Sequence, residues 1–122
     1  MTIGSKLQLK PGQKVALVAL PEGLDIDLPE GATRTIEPGA ADAVVLFVTT
    51  RVELDEQGSP VVEAAQADRL AWVAYPKARQ LGTDLNRDVL AKHLVSRGIQ
   101  PVRQIAIDDL WSALRFRPES AH

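Results

Sequence analysis

Four short stretches bring together the side chains best suited to chemistry: Thr50-Arg51, Tyr75-Pro76-Lys77, Thr83-Asp84-Leu85 and Asp108-Asp109-Leu110-Trp111. A lysine such as Lys77 becomes a base or nucleophile when burial lowers its pKa. Its flanking residues give no sign of burial, which leaves anion contact or an ordinary loop cation. Arg51, at a helix start, could capture an anion together with the free N–H groups there, or pair with Glu53 or Glu22. Asp108 and Asp109 could divide acid and base work only if their surroundings drove their pKa values apart. Neighbouring strand residues point to opposite faces, so capping of a turn is the simpler role. Asp84 or Asp88 could join them around a hard cation, but no calcium-loop spacing is present. Trp111 offers either a stacking platform or a core contact. Tyr75 marks a binding edge or closes the core with its hydroxyl in water, and Trp72, inside an apolar run, belongs to the core.

Other chemistries find little footing. His93 and His122 lie far apart in sequence, which argues against zinc. Ser59 and Ser112 have neither a G-x-S-x-G context nor a histidine positioned by sequence to activate them. The absence of cysteine removes disulfides and thiolates. Arg115-Phe116-Arg117 could touch nucleic acid, but one aromatic between two arginines fits strand alternation better. The formal charge of −2 gives no broad attraction for phosphate backbones or anionic lipid. The 122 residues, 45% hydrophobic and 25% charged, suit one soluble domain spanning 1–122 with its own core. Neither a signal-peptide core nor an apolar run of membrane-spanning length occurs, so a cytoplasmic protein is expected.

The elements that must position these residues follow from apolar patterning. After the turn Lys10-Pro11-Gly12-Gln13, the run from Lys14 to Leu20 predicts a strand buried on both faces. Thr33 to Ile36 predicts a second, shorter strand, and the segment between them leaves room for one or two helical turns at most. Asp42 to Val48 predicts a third strand, followed by a helix opened by the capping box Thr50-x-x-Glu53. Gly58-Ser59-Pro60 interrupts that helix, with Ser59 as cap and Pro60 restarting it through Asp68. Leu70 to Tyr75 predicts a fourth strand. Thr83 then caps a helix carrying Leu85, Val89, Leu90 and Leu94 on one face, and Gly98 ends it. Alternation over Val102 to Asp108 and Trp111 to Arg117 predicts a closing hairpin with a loop of four residues or more.

Buried strands alternating with helices imply an α/β fold: a three-layer, Rossmann-like, mostly parallel sheet with a C-terminal antiparallel hairpin. In such sheets ligands bind beyond the carboxyl ends of the strands. The loops there hold Glu22, Gly23, Glu37, Thr50, Arg51, Tyr75, Lys77, Thr83, Asp84, Arg87, Asp108, Asp109 and Trp111. Together these form the candidate edge for a ligand or partner.

The turn and strand Lys10-Pro11-Gly12-Gln13-Lys14-Val15, the strands Asp42 to Val48 and Leu70 to Lys77, and the terminal hairpin resemble class I S-adenosylmethionine-dependent methyltransferases. More narrowly, Tyr75-Pro76-Lys77, Thr83-Asp84-Leu85 and Asp108 to Leu114 resemble a family of short bacterial domains of unknown function, over nearly the whole chain. The resemblance implies a methyltransferase-like fold, with an acid such as Glu37 placed to meet ribose hydroxyls. It also implies a glycine-rich turn after the first strand, where this chain has Val18-Ala19-Leu20-Pro21-Glu22-Gly23-Leu24. Pro21 removes a donor there and leaves Gly23 as the permissive residue. The expectation is a non-catalytic binding or interaction domain with no bound cofactor, working through a protein partner or self-association. The alternatives are a divergent methyltransferase still using S-adenosylmethionine and a sensor of nucleotides or other anions.

Overall fold

The computed structural model of the protein describes residues 2–77 and 82–119. His122 falls outside them. A one-turn helix, α1 (Ile3–Lys6), precedes strand β1 (Lys14–Val18), the short β2 (Thr33–Arg34), a 3-10 turn (Pro38–Ala40) and β3 (Ala43–Phe47). Helices α2 (Arg51–Gln57) and α3 (Ser59–Gln66) lead to β4 (Leu70–Pro76), and α4 (Arg87–Val95) leads to β5 (Ile99–Ala106) and β6 (Trp111–Pro118). The strands form a six-stranded sheet in the order β2-β1-β3-β4-β6-β5. The first four are mutually parallel, while β6 lies antiparallel to both β4 and β5. The mostly parallel α/β sheet with a C-terminal antiparallel hairpin, expected from the sequence, is the fold that forms.

The central strands are apolar on both faces because both faces are covered. Every residue of β3 is buried, as is β4 from Ala71 onward. On one face Val44, Leu46, Val73, Leu114 and Phe116 pack against Leu54 of α2, Val61 and Ala65 of α3, and Leu90 and Leu94 of α4. On the other, Val45, Phe47, Trp72 and Ala113 pack against Leu7, Leu9, Ile26 and Ile107. That second covering layer consists of α1 and extended chain. The Trp72 indole N–H donates to the Leu7 carbonyl at 2.9 Å, fixing the N-terminal segment to the sheet while satisfying a buried donor. Gly4 donates to the Asp27 carboxylate at 2.9 Å where the 19–32 segment crosses α1. A side chain at Gly4 would run into the Asp27 carbonyl, so glycine is required by close approach.

Several boundaries differ from those expected. β1 stops at Val18 because Ala19 turns into the left-handed region, φ +59°. The 19–32 segment contains no helix. Gly58 caps α3, and Ser59 lies within its first turn. Asn86 caps α4 instead of Thr83, accepting from the Val89 N–H at 2.8 Å. Thr83 is engaged elsewhere. Its hydroxyl donates to the Thr49 carbonyl at 2.6 Å and accepts from the Leu85 N–H at 3.0 Å. β5 begins at Ile99, ahead of Pro101, and a register irregularity follows between Pro101 and Arg103. An edge strand tolerates a proline there because one side of it has no neighbour to bond.

Candidate functional site

Parallel β1 to β4 send their C-terminal loops to a common rim, and the turn between β5 and β6 joins them there. The Thr50 cap is built as its sequence implies. Its hydroxyl accepts from the Glu53 N–H at 3.2 Å, and the Glu53 carboxylate accepts from the Thr49 and Thr50 N–H groups. The Arg51 N–H, at the start of α2, donates to the Asp84 carboxylate at 2.9 Å. With the Thr83 hydroxyl on the Thr49 carbonyl, the 83–84 segment is stitched to the loop between β3 and α2. Thr50, Arg51, Thr83 and Asp84 therefore form one cluster.

Lys77, Asp108 and Trp111 form a second cluster. The Lys77 N–H donates to the Leu110 carbonyl at 2.8 Å. One Asp108 carboxylate oxygen accepts from the Leu110 and Trp111 N–H groups, both at 2.8 Å. Asp108 thus closes its own turn, the structural role its position suggested, and Asp109 projects exposed beside it. The Trp111 ring meets Phe47 edge to face, with centroids 5.5 Å apart. It is a core residue with 6% of its surface exposed.

Tyr75 belongs to the opposite face, in the core beneath the helices. Its hydroxyl accepts from the Gln104 side-chain amide at 3.1 Å. Burial pushes the phenol above its ordinary range, against the smaller opposing influences of Arg87 and the Gln104 hydrogen bond. Arg87 itself lies 3.7 Å from Asp88. Because Trp111 packs in the other core, the two aromatics do not share one platform.

Glu22, Gly23 and Glu37 stand apart from these clusters. Among the described residues no hydrogen bond joins them to either cluster, and all three are exposed. Gly23 has a φ of +82°, but a Cβ there would meet nothing within 4 Å, so its surroundings are open. Among the described residues no group of three or more metal-ligating side chains gathers. None of their helices is long and apolar enough to cross a membrane.

Cavities open beside this rim, at Arg51, and at the opposite end of the sheet. One of about 450 Å³ lies between α2 and α4, bordered by Arg51, Val89, Lys92 and His93. His93 Nε2 is 2.7 Å from the Asp55 carboxylate there. Another, of about 360 Å³, lies at the amino ends of the strands among Gln8, Lys10, Asp42, Asp68, Arg69 and Arg115. At that end Arg69 donates to the Ala41 carbonyl at 2.7 Å, and Arg117 binds both oxygens of Asp68 at 3.0 and 3.1 Å. These residues carry no spacing motif. The alternation of Arg115, Phe116 and Arg117 was the trace in sequence that placed two arginines on one strand face.

The chain matches no model of a known protein family, and no curated protein matches its sequence.

Proposed function

We propose that the chain is a non-catalytic, methyltransferase-like domain that binds a protein partner, or a second copy of itself, through the carboxyl rim of its sheet. Support comes from the strand order 2-1-3-4-6-5, a mostly parallel sheet with an antiparallel strand at its C-terminal side, compatible with the methyltransferase resemblance. The observation that carries the proposal is the use of the rim's own polar groups. Asp84 occupies the Arg51 N–H, Thr83 occupies the Thr49 carbonyl, and Asp108 occupies the amides of its turn. Groups that could meet a nucleotide in a catalytic relative are thereby committed to holding loops together. What remains outward is Arg51, Arg87, Asp109 and the 41%-exposed Leu110, a mixed charged and apolar surface of the sort found at polar interface rims.

Affinity capture and sedimentation with wild type and an Arg51→Glu/Asp109→Lys/Leu110→Asp variant test the proposal. A defined complex or homodimer formed by wild type and lost in this variant is the expected result. Association unaffected by the variant, or none at all, overturns it.

The left-handed Ala19 favours a second reading, a divergent S-adenosylmethionine-dependent methyltransferase. A sharp turn persists after β1 where such enzymes use glycine. A ligand at a hundred times its Kd raises stability by about 2.7 kcal/mol, enough for a clear thermal shift. No shift with S-adenosylmethionine or its demethylated product is expected, and a saturable shift would replace the interaction proposal with the enzymatic one.

A further inference from the structure

We infer that the hollow at the amino ends of the strands, built around Arg115, is a binding site for a small oxyanion, either a carboxylate or a phosphate ester. This site is at the opposite end of the sheet from the rim and does not depend on its role.

Two of the three left-handed non-glycine residues among those described, Gln8 (φ +62°) and Asp68 (φ +57°), border this hollow. Each follows a helix end: Gln8 donates its N–H to the Ser5 carbonyl after α1, and Asp68 donates to the Ala65 carbonyl after α3. Glycine is the least strained residue at such positions. Both residues instead use their side chains on β6. Gln8 accepts from Arg115 Nη1 at 2.8 Å, and Asp68 binds Arg117 through both oxygens. The two helix ends therefore aim two guanidiniums at the same end of the sheet.

Their charges are unequally matched. Arg117 has the Asp68 carboxylate, whereas Arg115 has a neutral amide. Arg115 Nε is buried and finds no hydrogen-bond partner among the described residues. Arg103 lies directly across from Arg115 in the β5–β6 pairing, on the same face. Desolvation first, then the nearby Arg117 and Arg103, disfavour the charged form of Arg115, with Asp68 opposing them. The Asp42 carboxylate in the same hollow accepts the Lys14 N–H at 2.9 Å. Lys10 and Arg69 add two more cations to the lining. An oxyanion here would provide the counter-charge that Arg115 lacks, as the acceptor of a charge-assisted hydrogen bond. A neighbouring hollow of about 440 Å³ also touches Gln8 and Lys10, leaving space for the organic body of such a ligand.

The test is an amide NMR titration of the full chain with inorganic phosphate and, separately, acetate, at constant ionic strength set by chloride. Saturable shifts clustered at Gln8, Lys10, Arg69 and Arg115 with either probe are expected, and the stronger probe distinguishes phosphate from carboxylate. Arg115→Met should abolish the response while leaving the anion-free thermal midpoint close to that of wild type, because loss of the Gln8 hydrogen bond is offset by removal of a buried orphan donor and of like-charge crowding. If that variant fails to fold, Lys10→Gln, at an exposed site, should weaken binding several-fold. No saturation through the millimolar range, shifts centred elsewhere, or an undiminished response in the variant that folds would overturn the inference.

Discussion

Ala19, with φ +59° and no side chain long enough to gain a contact from it, carries backbone strain without compensation. A left-handed L-residue costs about 1–2 kcal/mol. Glycine removes that cost but returns about 0.5–1 kcal/mol through its greater freedom in the unfolded chain. Ala19→Gly should therefore stabilise by about 0.5–1 kcal/mol, read as an increased urea midpoint at unchanged m-value. Gln8 and Asp68 share the conformation but hold arginines, so relief of strain there is offset by a lost contact. None of the three positions was legible in the sequence, because nothing local distinguishes them. The partners explain why: Gln8 and Arg115 are 107 residues apart, and Asp68 and Arg117 are 49 apart. By contrast, the Asp108 turn and the Trp72 core position were legible, since adjacent residues and a long apolar run specify them.

At the scale of elements, the strands buried on both faces announced themselves as continuous apolar runs, and the Thr50–Glu53 capping box announced α2. The start of α4 did not. Thr83-Asp84 has the composition of a cap, but tertiary contacts take both residues to the loop before α2, and Asn86 performs the capping. Asn86→Ala should cost about 1 kcal/mol through the lost cap. Thr83→Ala should release the 83–84 segment from Thr49 while leaving α4 intact. Hydrogen exchange separates the two: the first variant should speed exchange in the opening turn of α4, the second at Arg51 and Leu85. Apolar–polar alternation starts β5 only at Val102, yet the strand begins at Ile99, directly after Gly98, and runs through Pro101. Its position at the sheet edge makes those residues tolerable. α1 escaped notice because four residues, capped by Thr2, are too few to establish a periodic pattern.

Across the whole molecule, two carboxylates tie distant segments together. Hydrogen bonds from the Gly4 N–H and the Thr2 hydroxyl hold Asp27 below the usual carboxylate range, and the Arg117 hydrogen bond does the same for Asp68. In the window between their folded values and the unfolded value near 3.9, the unfolded chain binds more protons. Their contribution is therefore present above about pH 4 and declines as pH falls through the folded values. Tyr75 acts in the opposite sense. Its raised folded value contributes stability that is complete below the unfolded value near 10 and is lost at higher pH. Urea midpoints across pH should trace a plateau with both flanks. Asp27→Asn/Asp68→Asn should flatten the acid flank, while Tyr75→Phe should remove part of the alkaline decline. Salt should weaken the acid effect because both carboxylates are exposed.

The last strand in sequence, β6, occupies an interior position between β4 and β5. During synthesis, β1 to β4 can pair as they emerge, but β5 has no partner until the chain has been extended through Pro118. The open side of β4 stays uncovered for the same interval, presenting a hydrogen-bonding edge to other nascent chains. Emergence of β6, rather than of the central strands, is thus the event that completes the sheet.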